Sequence, residues 1–306
     1  MARKRGLKIM RAFNHEKPWK VSLHGGHSGD FCEHAEGSLR EILEAAVKEN
    51  YHTFGVTEHA PRLESRFLYP DELEKGFTVE KLVSDFEQYH KMLSALVEEF
   101  SDRIVILRSF EAEIIPSNSY VKVMKGYKEK YTCDYMLGSV HYVNDIIIDL
   151  GIEPFERALE MHGGLDSLAI RYYETVARMV EELRPDVVGH FDLIRRYGHQ
   201  FGSVDTPGIR KMAEEALQVV KEYDCILDLN TSGYRKGLGG PYPAPWILDL
   251  ANRMGVGFCF GDDSHSPIMV GAGVEEARDY LLQNGIKTVT VLTKESGNMV
   301  KKIVPL

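Results

Sequence analysis

Seven of the twelve histidines stand where an apolar, strand-like run ends. The runs close in Leu23-His24, Glu58-His59, Val140-His141, Gly189-His190 and Asp263-Ser264-His265, and His27 and His34 follow the first run within one loop. Glu111 closes a further run, Ile104 to Phe110. Imidazole and carboxylate together are the ligand set for zinc, manganese and iron. One histidine at a strand end means little. The same chemistry at strand end after strand end suggests a multinuclear metal site on one face of a barrel.

The elements that must position these groups alternate. Strand-like runs fall at 20–24, 52–58, 104–110, 134–140, 186–190, 225–230 and 256–261, with one more at 287–293. Helix-period stretches lie between them. Ser38-Leu-Arg-Glu41 reads as a capping box opening a helix to Asn50. Thr78 and Glu80 open another, to Glu99; others cover 166–183, 207–223, 244–254 and 274–284. Pro207 and Pro245 sit near helix starts, and Gly255 and Gly285 follow helix ends. Repeated strand–helix units imply parallel strands in a wound sheet or closed barrel. An open doubly wound sheet focuses its ligand at one switch point, whereas a (β/α) barrel builds its site from many C-terminal strand ends. Candidate ligands at six of the first seven runs fit the barrel. Loops 60–77 and 142–165 are long for βα connections and read as rims or lids of the site.

The bulk composition bounds the partners. The 306 residues suffice for one large α/β domain, and no linker, low-complexity tract or internal repeat divides them. We expect an N-terminal extension, 1–19, and a single barrel domain, 20–306. A net charge of −9 argues against a nucleic-acid partner but not against a small phosphorylated substrate beside bound metal ions. No apolar run approaches the ~18 residues of a membrane span. The basic start, Met1 to Phe13, lacks the apolar core of about 7–15 residues that marks a secretory signal. Cys32, Cys133, Cys225 and Cys259 form no C-x-x-C pair and read as buried thiols in a reducing compartment. A cytoplasmic enzyme is the expectation; oligomeric state is open.

The motifs themselves are Ser22-Leu-His-Gly-Gly-His-Ser28, Phe31-Cys-Glu-His-Ala-Glu-Gly37, Val56-Thr-Glu-His-Ala-Pro61, Phe110-Glu-Ala-Glu-Ile114, Gly138-Ser-Val-His-Tyr142, Val188-Gly-His-Phe-Asp192 and Phe260-Gly-Asp-Asp-Ser-His265. With Asp228-Leu-Asn-Thr-Ser-Gly233 and Tyr242-Pro-Ala-Pro245 they resemble, in order and context, the polymerase and histidinol phosphatase (PHP) family, in its histidinol-phosphate phosphatase branch. The likeness covers roughly residues 20 to 270. It implies a distorted (β/α)7 TIM-like barrel with three divalent metal ions at the C-terminal strand ends. By matching motif, His24, His27, Glu111 and Asp263 would hold one ion. Glu111 would bridge to a second, completed by His141 and His190. His34, His59 and His265 would hold the third. Zinc, manganese and iron all suit such mixed N/O sites.

Three departures from the family pattern stand out. His24-Gly-Gly-His27 replaces the usual His-x-His, and strand alternation does not put residues i and i+3 on one face. The two glycines could make a bulge that restores convergence; otherwise His24 or His27 is not a ligand. Glu58 replaces an aspartate, and Asp262 replaces a small residue. Both add carboxylate near the metals.

Asp192, Asp263 and His265 are the expected catalytic residues, the last two also as ligands. Asp192 would protonate the leaving alkoxide or orient a histidine. Arg195, Arg196, Arg235 and Arg66 are candidates for phosphate, whose oxygens suit a guanidinium fork; Arg62 is a weaker one. Each of these arginines also reads as a solvated surface residue. Glu113 is a reserve ligand. His15, His52, His90, His162 and His199 lack the context and read as surface or structural. Gly237-Leu-Gly-Gly240 lacks the lysine and hydroxyl of a P-loop and reads as a flexible turn. The resemblance implies a metal-dependent phosphomonoesterase acting on L-histidinol phosphate in histidine biosynthesis, with water activated on the metals as nucleophile. The alternatives are a relative acting on another small phosphoester, a metal-bound domain without catalysis, and metal-dependent hydrolysis of a C–N bond.

Overall fold

The computed structural model describes residues 17–306. Residues 1–16 of the expected N-terminal extension, with His15, lie outside the described residues. Trp19, inside that extension, is buried edge-on against Phe260, with ring centroids 5.6 Å apart. Core packing therefore reaches back at least that far.

In chain order the strands are β1 (Val21–Ser22), β2 (Thr53–Val56), β3 (Val105–Arg108), β4 (Glu111–Ala112), β5 (Leu137–Gly138), β6 (Tyr142–Val143), β7 (Ile146–Ile147), β8 (Val187–Val188), β9 (Ile226–Asn230), β10 (Gly257–Gly261), β11 (Thr288–Glu295) and β12 (Asn298–Pro305). Eight form one sheet in the order β3-β2-β1-β10-β9-β8-β5-β4. All its pairings are parallel. Its two ends are consecutive pieces of one segment, parted only by Ser109-Phe110. β3 pairs with β2 on one side, β4 pairs with β5 on the other, and Glu111 in β4 bridges back to His59 beyond β2. The sheet thus returns on itself as an α/β barrel. Thr53, Phe54, Gly55 and Val56 are all buried, as expected of a strand covered on both faces.

The expected helices form where the caps are. Ser38 closes a capping box on Leu39–Lys48, Thr78 caps Val79–Glu99 and Thr206 caps Pro207–Glu222. Leu165–Leu183, Pro245–Met254 and Val274–Gln283 complete the expected set. Two further helices of eleven residues lie outside it, besides shorter turns. Tyr120–Lys130 has Gly126 in its middle and no side-chain cap, and Ile152–His162 starts on Gly151 with no side-chain cap. Ser119 stands at the N-cap of the first without making a capping bond, and the second has only Gly151 there. Long loop 142–165 is therefore the β6–β7 hairpin followed by Ile152–His162, and loop 60–77 contains a short helix, Pro70–Glu74.

The run expected at 287–293 stands apart from the barrel sheet. It becomes β11, paired antiparallel with β12. This hairpin covers the N-terminal strand ends. Thr293 Oγ1 meets Thr53 Oγ1 at 2.7 Å, Lys294 Nζ donates to Asp134 Oδ2 at 2.6 Å, and Lys301 Nζ donates to Asp224 O at 2.6 Å.

Inside the barrel, Tyr135 crosses to donate its hydroxyl to Leu23 O at 2.7 Å. A Cβ on Gly55 would overlap that hydroxyl. Gly55→Ala is expected to destabilise the fold by ~1–3 kcal/mol through overpacking, read as a lower urea midpoint. An unchanged midpoint would contradict this interior packing.

Candidate metal centre

The functional side chains stand at C-terminal strand ends or in the loops and short helices that follow them. His24 follows β1, with its carbonyl accepting from the amides of Asp262 and Asp263, both at 2.8 Å. Beyond it the chain bulges. Gly26 has φ of +116° and bridges to Ser264, where any Cβ would overlap the Ser264 backbone. A Cβ on Gly25 would likewise overlap Gly55 and Phe54. These two glycines bring His27 back onto the same site as His24, so the three-residue spacing converges. His190 and Asp263 also have positive φ, 21° and 48°. Non-glycine residues rarely adopt this region, which is strained backbone held by its surroundings.

The centre of the cluster is Glu111. Its Oε1 lies 3.6 Å from His24 Nε2, 3.6 Å from His141 Nε2 and 3.2 Å from His190 Nε2. Its Oε2 lies 2.9 Å from His59 Nδ1 and 3.6 Å from His27 Nε2. Asp263 Oδ1 stands 3.8 Å from His24 Nε2 and 3.7 Å from His27 Nε2. Three sets therefore form around two carboxylates: His24, His27 and Asp263; His24, Glu111 and His190; and His27, His59 and Glu111. A fourth set joins His34, His59 and His265 with Cys32. All nine residues expected as ligands fall in or beside these sets, His141 through its contacts with Glu111 and His190.

The donor chemistry fits divalent cations. Buried His24 Nε2, both ring nitrogens of His27, and Glu111 Oε1 lack hydrogen-bond partners. His141 Nε2 faces His190 Nε2 at 3.2 Å. Burial disfavours a charge on His27, yet Asp263, Glu58 and Glu111 outweigh it and raise its pKa to about 9. Burial and the neighbouring His27 push His265 down to about 3. Opposite shifts in adjacent imidazoles mark a cluster that shares too few protons, where cations would serve all the lone pairs.

Carboxylates outside the expected set hold the imidazoles. Asp228 Oδ2 accepts from His24 Nδ1 at 2.8 Å and from Asn230 Nδ2 at 2.9 Å. Glu113 Oε2 accepts from His141 Nδ1 at 2.6 Å. Glu58 Oε1 accepts from the Ser28 amide at 2.8 Å and hydroxyl at 2.6 Å, anchoring the loop that carries His27. Asp262 differs from expectation. It turns away from the cluster to accept from Tyr51 OH at 2.5 Å and the Gly271 amide at 2.6 Å, so it supports the loop and not the site.

A cavity of about 420 Å³ opens over the cluster. Of the expected substrate groups, Arg196 and Arg235 line it and Arg195 and Arg66 do not. Arg195 is turned to Pro241 O (2.7 Å) and Asp192 (3.2 Å); Arg66 is exposed and paired with Glu64 and Asp145. Arg62 is buried against Glu72. Asp263 and His265 line the cavity, but Asp192 does not. The Asp192 carboxylate is buried, accepting from the Ala244 amide at 2.9 Å. Its local sequence, two residues after His190, gave no hint that its side chain turns behind the site. Lys236 was missed. It lines the cavity with Nζ 3.5 Å from Asp263 Oδ2, but a lysine in a glycine-rich turn reads like any solvated one. Ser232, donating to Asp263 Oδ2 at 3.0 Å, lay within a quoted motif without being singled out. Cys32 is a buried thiol packed 3.4 Å from His34 Nε2, and burial pushes its pKa up. His90 stacks on Tyr131 at 4.0 Å, and His162 and His199 donate to the carbonyls of Ala158 and Arg195; none joins the cluster. His52 meets Thr53 Oγ1 at 2.8 Å.

The sequence matches the PHP domain over residues 24–232. The chain belongs to the PHP domain family. It is 33% identical to the "Probable histidinol-phosphatase" of Schizosaccharomyces pombe, across 92% of this chain and 94% of the relative. The fold is shared with the HisK protein of Listeria monocytogenes at 23% identity, with a TM-score of 0.73 over 84% of this chain and 99% of the other. It is also shared with histidinol phosphate phosphatase from Lactococcus lactis, solved with zinc, L-histidinol and phosphate. There the identity is 20% and the TM-score 0.67, over 92% of this chain and 99% of the other.

Gly26→Ala puts a side chain where neither space nor φ permits one. We expect a loss of ~1–3 kcal/mol from the backbone strain alone, measured by chemical denaturation. A variant as stable as the parent would contradict the bulge that brings His27 to the cluster.

Proposed function

We propose that this protein hydrolyses L-histidinol phosphate to L-histidinol and inorganic phosphate, as a metal-dependent phosphomonoesterase of histidine biosynthesis. The observation that carries the reading is one cavity floored by a histidine–carboxylate cluster and walled by Arg196, Arg235 and Lys236. The name of the fission-yeast relative supports the substrate, and the ligands of the L. lactis structure support both metal and product. Counting β3 and β4 as one stave, we read the barrel as (β/α)7 with its metal site at the C-terminal ends. We assign three divalent ions: one to His24, His27, Glu111 and Asp263, a second to Glu111, His141 and His190, and a third to His34, His59 and His265.

Bound divalent ions would lower the pKa of a water and take up charge from the phosphoryl oxygens. The chain's own residues do the rest. Arg196, Arg235 and Lys236 attract and orient the phosphate, whose oxygens accept charge-assisted hydrogen bonds. Lys236 and His24 hold the Asp263 carboxylate well below its usual range against the burial that raises it, so it stays an anion at neutral pH, the form that holds a cation. His265 stands on the same wall. Asp192 is read here as a support: with Arg195 and the Ala244 amide it holds the loop after β8. Among the described residues no helix is long and apolar enough to cross a membrane, and we take the cytoplasm as the compartment.

The decisive experiment is phosphate release from L-histidinol phosphate, with and without a chelator, followed by re-addition of manganese or zinc. Release should be chelator-sensitive and far exceed that from an aryl phosphate; metal-loaded protein that releases none would remove the substrate from the assignment. His190→Ala and Asp263→Ala should abolish turnover while leaving the folded protein's circular dichroism unchanged. Lys236→Ala should lower kcat/KM by about tenfold or more, the ~1.5–3 kcal/mol of a hydrogen bond to a charged group. An undiminished kcat/KM would take Lys236 out of the phosphate site.

A further inference from the structure

Two carboxylates accept hydrogen bonds from the cluster's imidazoles from behind and line no part of the cavity: Glu113 and Asp228. Both oxygens of Glu113 accept hydrogen bonds. Oε1 accepts from the Ile114 amide at 2.9 Å, and Oε2 meets His141 Nδ1 at 2.6 Å. An ionised carboxylate only accepts, so the proton of that bond belongs to His141 Nδ1. In the neutral ring, Nε2 is then a bare lone pair. It points at Glu111 Oε1 (3.6 Å) and His190 Nε2 (3.2 Å). The Glu113 side chain is itself largely buried, with 12% exposure, so the bond is shielded from competing water.

We infer that Glu113 is a positioning residue: it fixes the tautomer and ring orientation of His141 and thereby the retention of the ion that His141 and His190 share. It is read as a support and not as a ligand: its oxygens accept from His141 Nδ1 and the Ile114 amide, it joins none of the ligand sets, and it lines no part of the cavity. Asp228 does the same for His24 from inside the barrel, where Asn230 Nδ2 orients the carboxylate in turn. Such a partner raises the basicity of the ligating nitrogen as well as aiming it. The inference rests on the reading of His141 as an ion-holding group.

The test is equilibrium zinc binding to the full-length protein, by competition with a chromophoric chelator. The variants are Glu113→Ala, Glu113→Gln and, as reference, His141→Ala. Thermal unfolding of each metal-free protein is measured in parallel. Glu113→Ala should loosen one zinc equivalent by about 10–100-fold, with the remaining equivalents held as in the parent. Glu113→Gln, whose amide oxygen still accepts from Nδ1–H, should fall between the two. The metal-free midpoints should match the parent, separating a lost anchor from a damaged fold. If Glu113→Ala holds every equivalent as tightly as the parent while His141→Ala loses one, the positioning role is overturned. If His141→Ala also loses none, the ion-holding reading of His141 fails and takes the inference with it.

Discussion

The open end of the barrel is arranged around one buried carboxylate. Glu111 has nitrogens of five imidazoles within 2.9–3.6 Å: His24, His27, His59, His141 and His190. A buried group of this kind must be neutralised by protons or cations, because water cannot do it. Protons serve it poorly, since each satisfies one pair while the lone pairs converge. The path of the chain follows from where Glu111 must sit. The interruption at Ser109-Phe110 lets one segment pair with β2 below and β5 above, so the seam of the barrel falls beneath the residue that ties the cluster together. Tyr89 OH stabilises the interruption by bonding Ser109 O at 2.6 Å, inside the core.

Much of the site was legible because strand ends are local features. An apolar run ending in histidine or glutamate announces both the element and the exit of its side chain toward the C-terminal face. The bulge at Gly25-Gly26 could be anticipated for the same reason: two glycines at a broken alternation point to backbone geometry and not to a missing ligand. Where expectation parted from structure, the deciding contact came from elsewhere in the chain. Arg195 and Arg196 are neighbours on one short helical turn, yet one faces Asp192 and Pro241 while the other reaches the cavity and Asp149. Nothing in Ile194-Arg-Arg-Tyr197 distinguishes them. Asp262 and Asp263 are also adjacent, and a positive φ at Asp263 turns one toward the cluster and leaves the other to Tyr51 and Gly271. Helices Tyr120–Lys130 and Ile152–His162 lack capping bonds and are held by tertiary packing: Met124 and Tyr120, and Phe155 and Ala158, are buried, with both helices packed on Leu165–Leu183 and the second also on β7.

The two ends of the barrel carry different obligations. The upper interior is polar, with Asp228, Asn230, Ser139 and the Tyr135 hydroxyl where a purely structural barrel would hold branched aliphatics. Gly261 has no Cβ because Asp228 occupies that space, and Gly55 has none because Tyr135 does. Strained backbone at His190 and Asp263 adds to the cost of building the site. The lower end offsets it. There the β11–β12 hairpin buries Val289, Val291, Leu292 and Val304 against the strand starts. A side chain on Gly257 would overlap Thr290, so the hairpin lies close on the sheet. Apolar burial at about 25 cal/mol per Å² is independent of metal, substrate and pH, which makes it the right kind of interaction to hold the staves. The histidine–carboxylate end can then remain short of partners until cations supply them, because the register that aims its ligands is held from the other end.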